Sequence, residues 1–262
     1  MQGIVAVIPA RMASSRFPGK PLAKLHGLPM IEHVFRRVRL CSKLDEVYVA
    51  TCDQEIRDAA KGFDAQVIMT SAAHERATDR VAEAAENLEA EIIVMIQGDE
   101  PMITPRMIET ALAAMQSDSS ISCVNLVHRI DTEQEFNNPN TIKVVADLSS
   151  NALYFSRSPI PGVNFEQTTG NLFKQVCVIP FRRECLRDFA RLPATPLEIA
   201  ESIDMLRLLE HGRRVHLVET RVATRSVDTP ADLRAVETLL NNDQLMETYL
   251  PKRFQTEDAE WR

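Results

Sequence analysis

The sequence predicts an α/β fold: a doubly wound, mostly parallel sheet with a smaller antiparallel extension. Three observations carry this. Ile4–Pro9 (IVAVIP) and Glu91–Gln97 (EIIVMIQ) are continuous apolar runs rather than alternating ones, as expected of strands covered on both faces. Strand and helix patterns alternate four times in roughly the first 115 residues, the rhythm of parallel strands joined by crossover helices. After Ser120 the rhythm changes to short strands with few long helices between them.

Taken in order, Ile4–Pro9 is the first buried strand. The stretch Ala10–Pro21 (ARMASSRFPGKP) is polar and broken by Pro and Gly, so it reads as a loop. Met30, Ile31, Val34, Phe35 and Val38 recur at helical spacing within Pro29–Leu40. Glu46–Thr51 is a strand, Gln54–Lys61 a helix, Gln66–Thr70 a strand and Thr78–Leu88 a helix. Glu91–Gln97 runs into Gly98-Asp99-Glu100-Pro101, and Pro105–Met115 opens with a proline suited to a first helical turn. Ser122–His128, Thr141–Ala146, Ala152–Phe155 and Val176–Phe181 are the strand candidates of the extension, or of a lobe over one end of the sheet. Leu197–His211 is one helix ending at Gly212, a C-cap residue. Val215–Val222 is a strand and Pro230–Leu240 a final amphipathic helix. This makes one domain over residues 1–240, with a polar, peripheral tail over 241–262.

Composition bounds the function. The chain has 262 residues, with 37 Asp and Glu against 30 Lys and Arg, a formal charge of −7. Such an acidic chain is a poor candidate for a general nucleic-acid binder, which needs a basic face, though it can hold a local basic pocket for a small phosphorylated ligand. No apolar run approaches the roughly 20 residues of a bilayer span, and the N-terminus has no basic region before its apolar run, so neither a membrane nor a signal peptide is expected. Five cysteines (41, 52, 123, 177 and 185) form no CxxC pair, which argues against structural zinc and a disulfide framework and for reduced thiols in the cytoplasm.

The loop after the first strand is the strongest chemical feature. It offers Arg11, Arg16 and Lys20 with Ser14, Ser15 and Gly19 between them. Cations on a loop of small residues suit a polyphosphate, and ligands of open α/β sheets bind at the carboxyl ends of strands. The loop is neither GxxxxGK[ST] nor GxGxxG, and a solvated basic loop remains the competing reading. Asp99 follows another buried strand and suits Mg²⁺ that also touches phosphates, unless it caps the next helix. Asp228 lies in a second acidic turn, Ser226-Val227-Asp228-Thr229-Pro230. Thr229 there is explained as an N-cap before a first-turn proline, which leaves Asp228 free to be a second ligand. Asp79 and Arg80 open a helix, where a favourable first-turn charge competes with a ligand role. The Asn138-Pro139-Asn140 turn and the strand end at Arg157 read as structural taken singly, and His33 and His211 as non-functional. No Ser-His-Asp order, Cys-His setting or HExxH is present. A cationic loop with separated carboxylates suits phosphoryl or nucleotidyl transfer.

Six strings in order, PARMASSRFPGKPL, MTSAAHERATDR, IQGDEP, NPNTIKVV, ALYFSRSPIP and SVDTPADL, make the chain resemble the 3-deoxy-manno-octulosonate (Kdo) cytidylyltransferase family from about Ile4 to Leu240. The resemblance implies a nucleotide-diphospho-sugar transferase-like fold, a homodimer, and a reaction of CTP with a sugar acid, with Mg²⁺ as cofactor, for cell-surface polysaccharide. Arg11 and Lys20 are then the triphosphate-binding pair, with Arg16 as helper, and Asp99 and Asp228 the Mg²⁺ ligands. Ala10, Ser71, Thr78, Arg80 and Gln97 become neighbours of cytosine and ribose. Arg157, Gln175, Glu201 and Asp204 fall on the sugar-acid side, and residues 121–195 become a sugar-binding and dimerisation subregion.

The chain departs from the family in places. Where the family has H-x-S-G-T, it reads His74-Glu75-Arg76-Ala77-Thr78. The His and a Tyr of H-I-G-I-Y-A-Y-R are Gln175 and Ile179. In L-E-Q-x-E-x-L-E-Q-L-R, two Gln become Ile199 and Met205, and a Glu becomes Asp204. These departures are expected to cluster around the sugar acid. Either the acceptor has drifted from Kdo to a related ulosonic acid, or the positions tolerate variation. Transfer to a non-sugar acceptor such as a phosphonate, and a non-catalytic nucleotide-binding role, are the competing classes.

Overall fold

A computed structural model describes residues 3–14, 16–167 and 172–250. Ser15 of the cationic loop and residues 251–262 of the expected tail lie outside the described residues. The main sheet is built from β1 (Ile4–Pro9), β4 (Glu46–Thr51), β5 (Gln66–Met69), β6 (Ile92–Ile96) and β11 (Val178–Arg182), with β2 (Lys24–Leu25) and β3 (Leu28–Pro29) forming a small hairpin. Its order is β11-β6-β1-β4-β5, all parallel except β11. From β1 the chain winds outward through β4 and β5, then returns to β6 on the other side of β1. The loops leaving β1 and β6 therefore diverge from one point, the switch point of a doubly wound sheet.

Alternate residues of a strand face opposite sides, and here both sides are covered. Ile4, Ala6 and Ile8 of β1 share a core with α1 (Met30–Arg39), α2 (Gln54–Lys61) and α4 (Pro105–Ser117). Val5 and Val7 share the other core with α3 (Ala77–Ala85), α6 (Arg183–Arg191) and α8 (Met205–Glu210). This is why the strand reads as a continuous apolar run. Most of the expected elements form within a residue or two, and β4, α2 and α9 (Pro230–Leu240) match to the residue. The helix α6 has no counterpart in the sequence reading, although its Cys185, Leu186 and Phe189 are spaced for one buried face.

Three expectations are corrected. The extension is a complete second sheet and not wholly antiparallel: β7 (Val124–Arg129), β8 (Lys143–Ala146), β9 (Ala152–Ser156), β10 (Phe173–Val176) and β12 (His216–Glu219) are ordered β12-β7-β10-β8-β9, with β12 parallel to β7 and α5 (Glu133–Asn137) before β8. The single strand expected over Val176–Phe181 is two. β10 ends at Val176, Cys177 steps across, and β11 joins the main sheet at Val178. The helix expected over Leu197–His211 breaks at Ser202, whose φ of 56° is left-handed, into α7 (Pro196–Glu201) and α8. Gly212 does follow α8 with φ of 70°.

The first part of the tail also departs from a loose periphery. α10 (Gln244–Tyr249) packs on α1 with Met246 in a core shared with Leu25, Met30, Val236 and Leu240. Arg37 pairs with Asp243 at 2.7 Å and donates to the Tyr249 hydroxyl at 3.0 Å. No helix among the described residues is long and apolar enough to cross a membrane.

Candidate active site

The loop after β1 is shaped before any ligand is considered. The Met12 N–H donates to Asp53 Oδ2 at 2.7 Å, and the Gly19 N–H to the Met12 carbonyl at 3.1 Å. Gly19 adopts φ of 73°, which favours glycine. This closure aims Lys20 across the switch point. Its Nζ donates to Asp99 Oδ2 at 2.7 Å and to the Val227 carbonyl at 2.8 Å, and lies 4.0 Å from Asp228 Oδ1. Arg16 donates to Asp228 Oδ1 at 2.7 Å and to Asn140 Oδ1. Two cations from one loop thus meet two carboxylates separated by 129 positions.

Asp99 and Asp228 come together because their loops are stitched. The Val227 N–H donates to the Asp99 carbonyl at 2.9 Å, and Thr224 Oγ1 donates to Glu100 Oε2 at 3.0 Å. Gly98 allows the turn: a Cβ there would lie 3.0 Å from Ile31 Cδ1 and 3.1 Å from the Pro9 carbonyl. Thr229 forms the expected cap, as part of a capping box with Asp232, so Asp228 has no capping duty. Asp99 does not cap α4 either, since Thr104 occupies that position. Burial, and then the charge of Asp99, push the Asp228 carboxyl up, against Lys20 and Arg16. Asp99 Oδ1 is buried without a hydrogen-bond partner. Among the described residues no three or more His, Cys, Asp or Glu are grouped to hold a metal. Two facing carboxylates with an orphaned oxygen suit an ion that takes its remaining ligands from substrate, as Mg²⁺ does.

Two chambers open on this point. The loop-side chamber, of about 520 Å³, is lined by Ala10, Arg11, Lys20, Arg76, Arg80 and Gly98 among others. The sheet-side chamber, of about 710 Å³, reaches Glu100, His128, Lys174, Gln175, Asp204 and Asp228. Arg16, Gln97, Asp99, Asn140, Arg157 and Ser202 line both. Glu100 is missed by the sequence reading because nothing in Asp-Glu-Pro separates its role from that of Asp99. It is buried, and burial followed by the charge of Asp99 lifts its carboxyl to about 7.

The expected site residues divide. Arg11, Lys20, Ala10 and Arg80 reach the loop-side chamber, with Arg16, Gln97, Asp99 and Arg157 at the junction. Gln175, Asp204 and Asp228 reach the sheet-side chamber. Ser71 lines neither: its N–H donates to Glu83, and its hydroxyl takes the Ala73 N–H. Thr78 is fully buried and committed to Asp204 Oδ2 through its N–H at 3.0 Å and hydroxyl at 2.8 Å. Glu201 acts behind the wall. Burial raises its carboxyl, but hydrogen bonds from the Arg157 N–H at 2.8 Å, Ser156 at 2.8 Å and Tyr154 at 3.2 Å hold it below the usual range. The departures from the family pattern do not all cluster as expected. Gln175, Ile179 and Met205 line the sheet-side chamber. Arg76 faces the loop-side chamber and binds Ser202, and Ile199 is exposed outside both.

The cytidylyltransferase family profile matches residues 5–217. The chain is similar to the 3-deoxy-manno-octulosonate cytidylyltransferase of Geobacter metallireducens, at 46% identity over 92% of this chain and 99% of that one. It is also similar to the enzyme of that name from Geobacter sulfurreducens, at 46% over 89% and 97%. A solved CMP:2-keto-3-deoxy-manno-octonic acid synthetase complexed with CTP superposes with a TM-score of 0.84 at 41% identity, covering 92% of this chain and 99% of that chain. A 4-diphosphocytidyl-2C-methyl-D-erythritol synthase from Anaerococcus prevotii shares the fold at TM-score 0.61 and 15% identity, over 92% of this chain and 99% of that chain. With its profile over most of the chain and such relatives end to end, the chain belongs to the cytidylyltransferase family and is a nucleotidyltransferase.

Proposed function

We propose that the protein transfers a cytidylyl group from CTP to Kdo, with Mg²⁺ as cofactor, releasing pyrophosphate. The observation that carries this is the junction: two chambers sharing Arg16, Asp99 and Arg157, one lined by the cationic loop and the other by polar side chains of the second sheet. CTP occupies the loop-side chamber and the sugar acid the sheet-side chamber. The anomeric hydroxyl gives up its proton to solvent and its oxygen bonds to the α-phosphorus, while the bond to the bridging oxygen breaks and pyrophosphate leaves with the electron pair. Lys20 and Arg16, held ready on Asp99 and Asp228, turn to the phosphate oxygens and offset their charge. Arg11 extends the same field outward, and Arg157 orients the carboxylate of the acid at the partition. Asp99 and Asp228 would hold Mg²⁺, which supplies further charge neutralisation on the phosphates. The relatives' names support Kdo as the acceptor.

This reading makes the product an activated sugar acid for cell-surface polysaccharide, formed by a cytoplasmic homodimer that binds no nucleic acid. The five free thiols are in keeping with a reducing compartment. A second reading keeps the chemistry and changes the acid. Gln175, Ile179 and Met205 line the acceptor chamber where the family pattern has His, Tyr and Gln, so a differently substituted ulosonic acid is the competing acceptor. Pyrophosphate release with CTP and Mg²⁺ against Kdo, its 8-amino analogue and nonulosonic acids decides. Turnover with Kdo at about 1–10³ s⁻¹, abolished by chelation, is expected. Turnover only with another acid selects the second reading, and silence across the panel overturns both.

A further inference from the structure

Lys143 is the one lysine buried among the described residues, with no exposed surface at all. Sequence reading assigned it nothing. Its Nζ donates to the carbonyls of Asn138 at 2.8 Å and Thr141 at 2.6 Å, and to that of Arg157. An ammonium has three donors, and all three are used. Among the described residues no carboxylate pairs with it at ion-pair distance. Burial, and then the charge of Arg157, lower it to about 8, against the weaker pull of Glu201. Burying an unpaired charge is unfavourable, so its retention calls for a reason beyond packing.

The three carbonyls supply one. Two belong to the turn that presents Asn140, and the third to the residue after β9, Arg157. Asn140 and Arg157 both line both chambers. Arg157 Nη1 donates to the Pro139 carbonyl at 3.1 Å, its Nε to the Glu201 carbonyl at 2.7 Å and its Nη2 to the Ser202 carbonyl at 3.3 Å. The partition is thus a turn and a strand end whose carbonyl dipoles converge on one point and repel unless a cation stands there. In the register of the sheet, Lys143 lies opposite Ser156 on one side and Lys174 on the other. Lys174 is neutralised by Glu135, which leaves Lys143 as the cation for the carbonyls.

We propose that Lys143 is a positioning residue that fixes the Asn140–Arg157 partition and so governs affinity for the acid substrate far more than affinity for CTP. This rests on the assignment of the sheet-side chamber to the acid. Wild-type turnover with one acid of the panel is established first. An inactive wild type overturns that assignment, and the positioning role with it. An active wild type isolates the role of Lys143.

The test is KM for the acid and for CTP, each at saturating partner, in Lys143→Met, Lys143→Gln and Lys143→Arg, with folding checked by thermal melting. Met and Gln are expected to raise the acid KM about tenfold or more and the CTP KM less than about threefold. Lys143→Arg keeps the charge and the donors, and falls between these variants and wild type. In an Arg157→Ala background, Lys143→Gln adds less than about twofold to the acid KM, because the group it positions is gone. Equal rises in both KM values, or an unmoved acid KM in a folded variant, overturn the proposal. So does failure of all three variants to fold, which makes Lys143 a stability element only.

Discussion

Lys20 shows how one side chain couples the site. Its ammonium, only 13% exposed, touches Asp99, the Val227 carbonyl and the edge of Asp228. On the proposed function, removing it takes a donor from the transferring phosphates, and it leaves two half-buried carboxylates facing each other. Lys20→Met is therefore expected to lower kcat/KM by about 10²–10³. Asp99→Asn lowers it comparably, because the orphaned Oδ1 loses its charge. The double variant falls well short of the product, since the two residues act as a unit. Steady-state kinetics of the three variants check this, and independent, multiplying losses would separate Lys20 from the carboxylate pair. The sequence shows the charges but not their ranking. It puts Arg11 beside Lys20 and treats Arg16 as a helper, whereas Arg16 is the cation on Asp228 and Arg11 only lines the chamber. Ser71 and Thr78 are placed near the nucleotide by string alone. The fold turns one outward and commits the other to Asp204.

At the scale of elements, legibility follows burial. β1, β4 and β6 are read correctly because burial on both or nearly both faces leaves an unbroken apolar run. The Cys177 step and the Ser202 break are invisible because each turns on one residue, and neither is a Gly or Pro that would mark it. α10 is misread because Met246 is its one buried residue and the rest of its docking is largely polar. His33 Nε2 lies 2.7 Å from the Leu25 carbonyl, which can only accept, so Nε2 carries the proton and Nδ1 takes that of Tyr249, at 2.8 Å. Protonation of His33 would remove the acceptor of the Tyr249 hydroxyl and add a positive charge beside Arg37 and Arg36. Burial, chiefly, lowers His33 from 6.5 to about 4. A folded pKa below the unfolded one gives stability that is full above about 6.5 and is lost as pH falls toward about 4. α10 is thus expected to loosen between pH 6.5 and 4, ahead of the main sheet. Amide exchange over residues 243–250 measures it, and protection unchanged down to pH 4 would refute the coupling.

At the scale of the whole molecule, the cleft lies where the two five-stranded sheets meet, joined by a bridge between Cys123 and Phe181 and by the direct step from β10 to β11 at Cys177. The Cys177 carbonyl takes the Gln97 N–H at 3.2 Å, just before the Asp99 turn. A shift of the second sheet would therefore move the sheet-side chamber relative to the carboxylates. The geometry also weighs the family departures against one another. Ile179 and Met205 are each 1% exposed, so they form the floor under the chamber and offer almost no surface to a ligand. Gln175 is half-buried, and its Nε2 donates to Asn125 Oδ1 at 2.6 Å, which leaves its amide carbonyl, alone among these three side chains, able to meet the acid. For Kdo as acceptor, Gln175→Ala is expected to raise the acid KM about tenfold. Ile179→Tyr and Met205→Gln, which force bulk or polarity into a packed floor, should lower Tm without improving kcat/KM for Kdo. A tenfold or greater gain for Kdo in either of these two variants would show instead that the floor had been reshaped for another acid, and would transfer the assignment to the differently substituted acceptor.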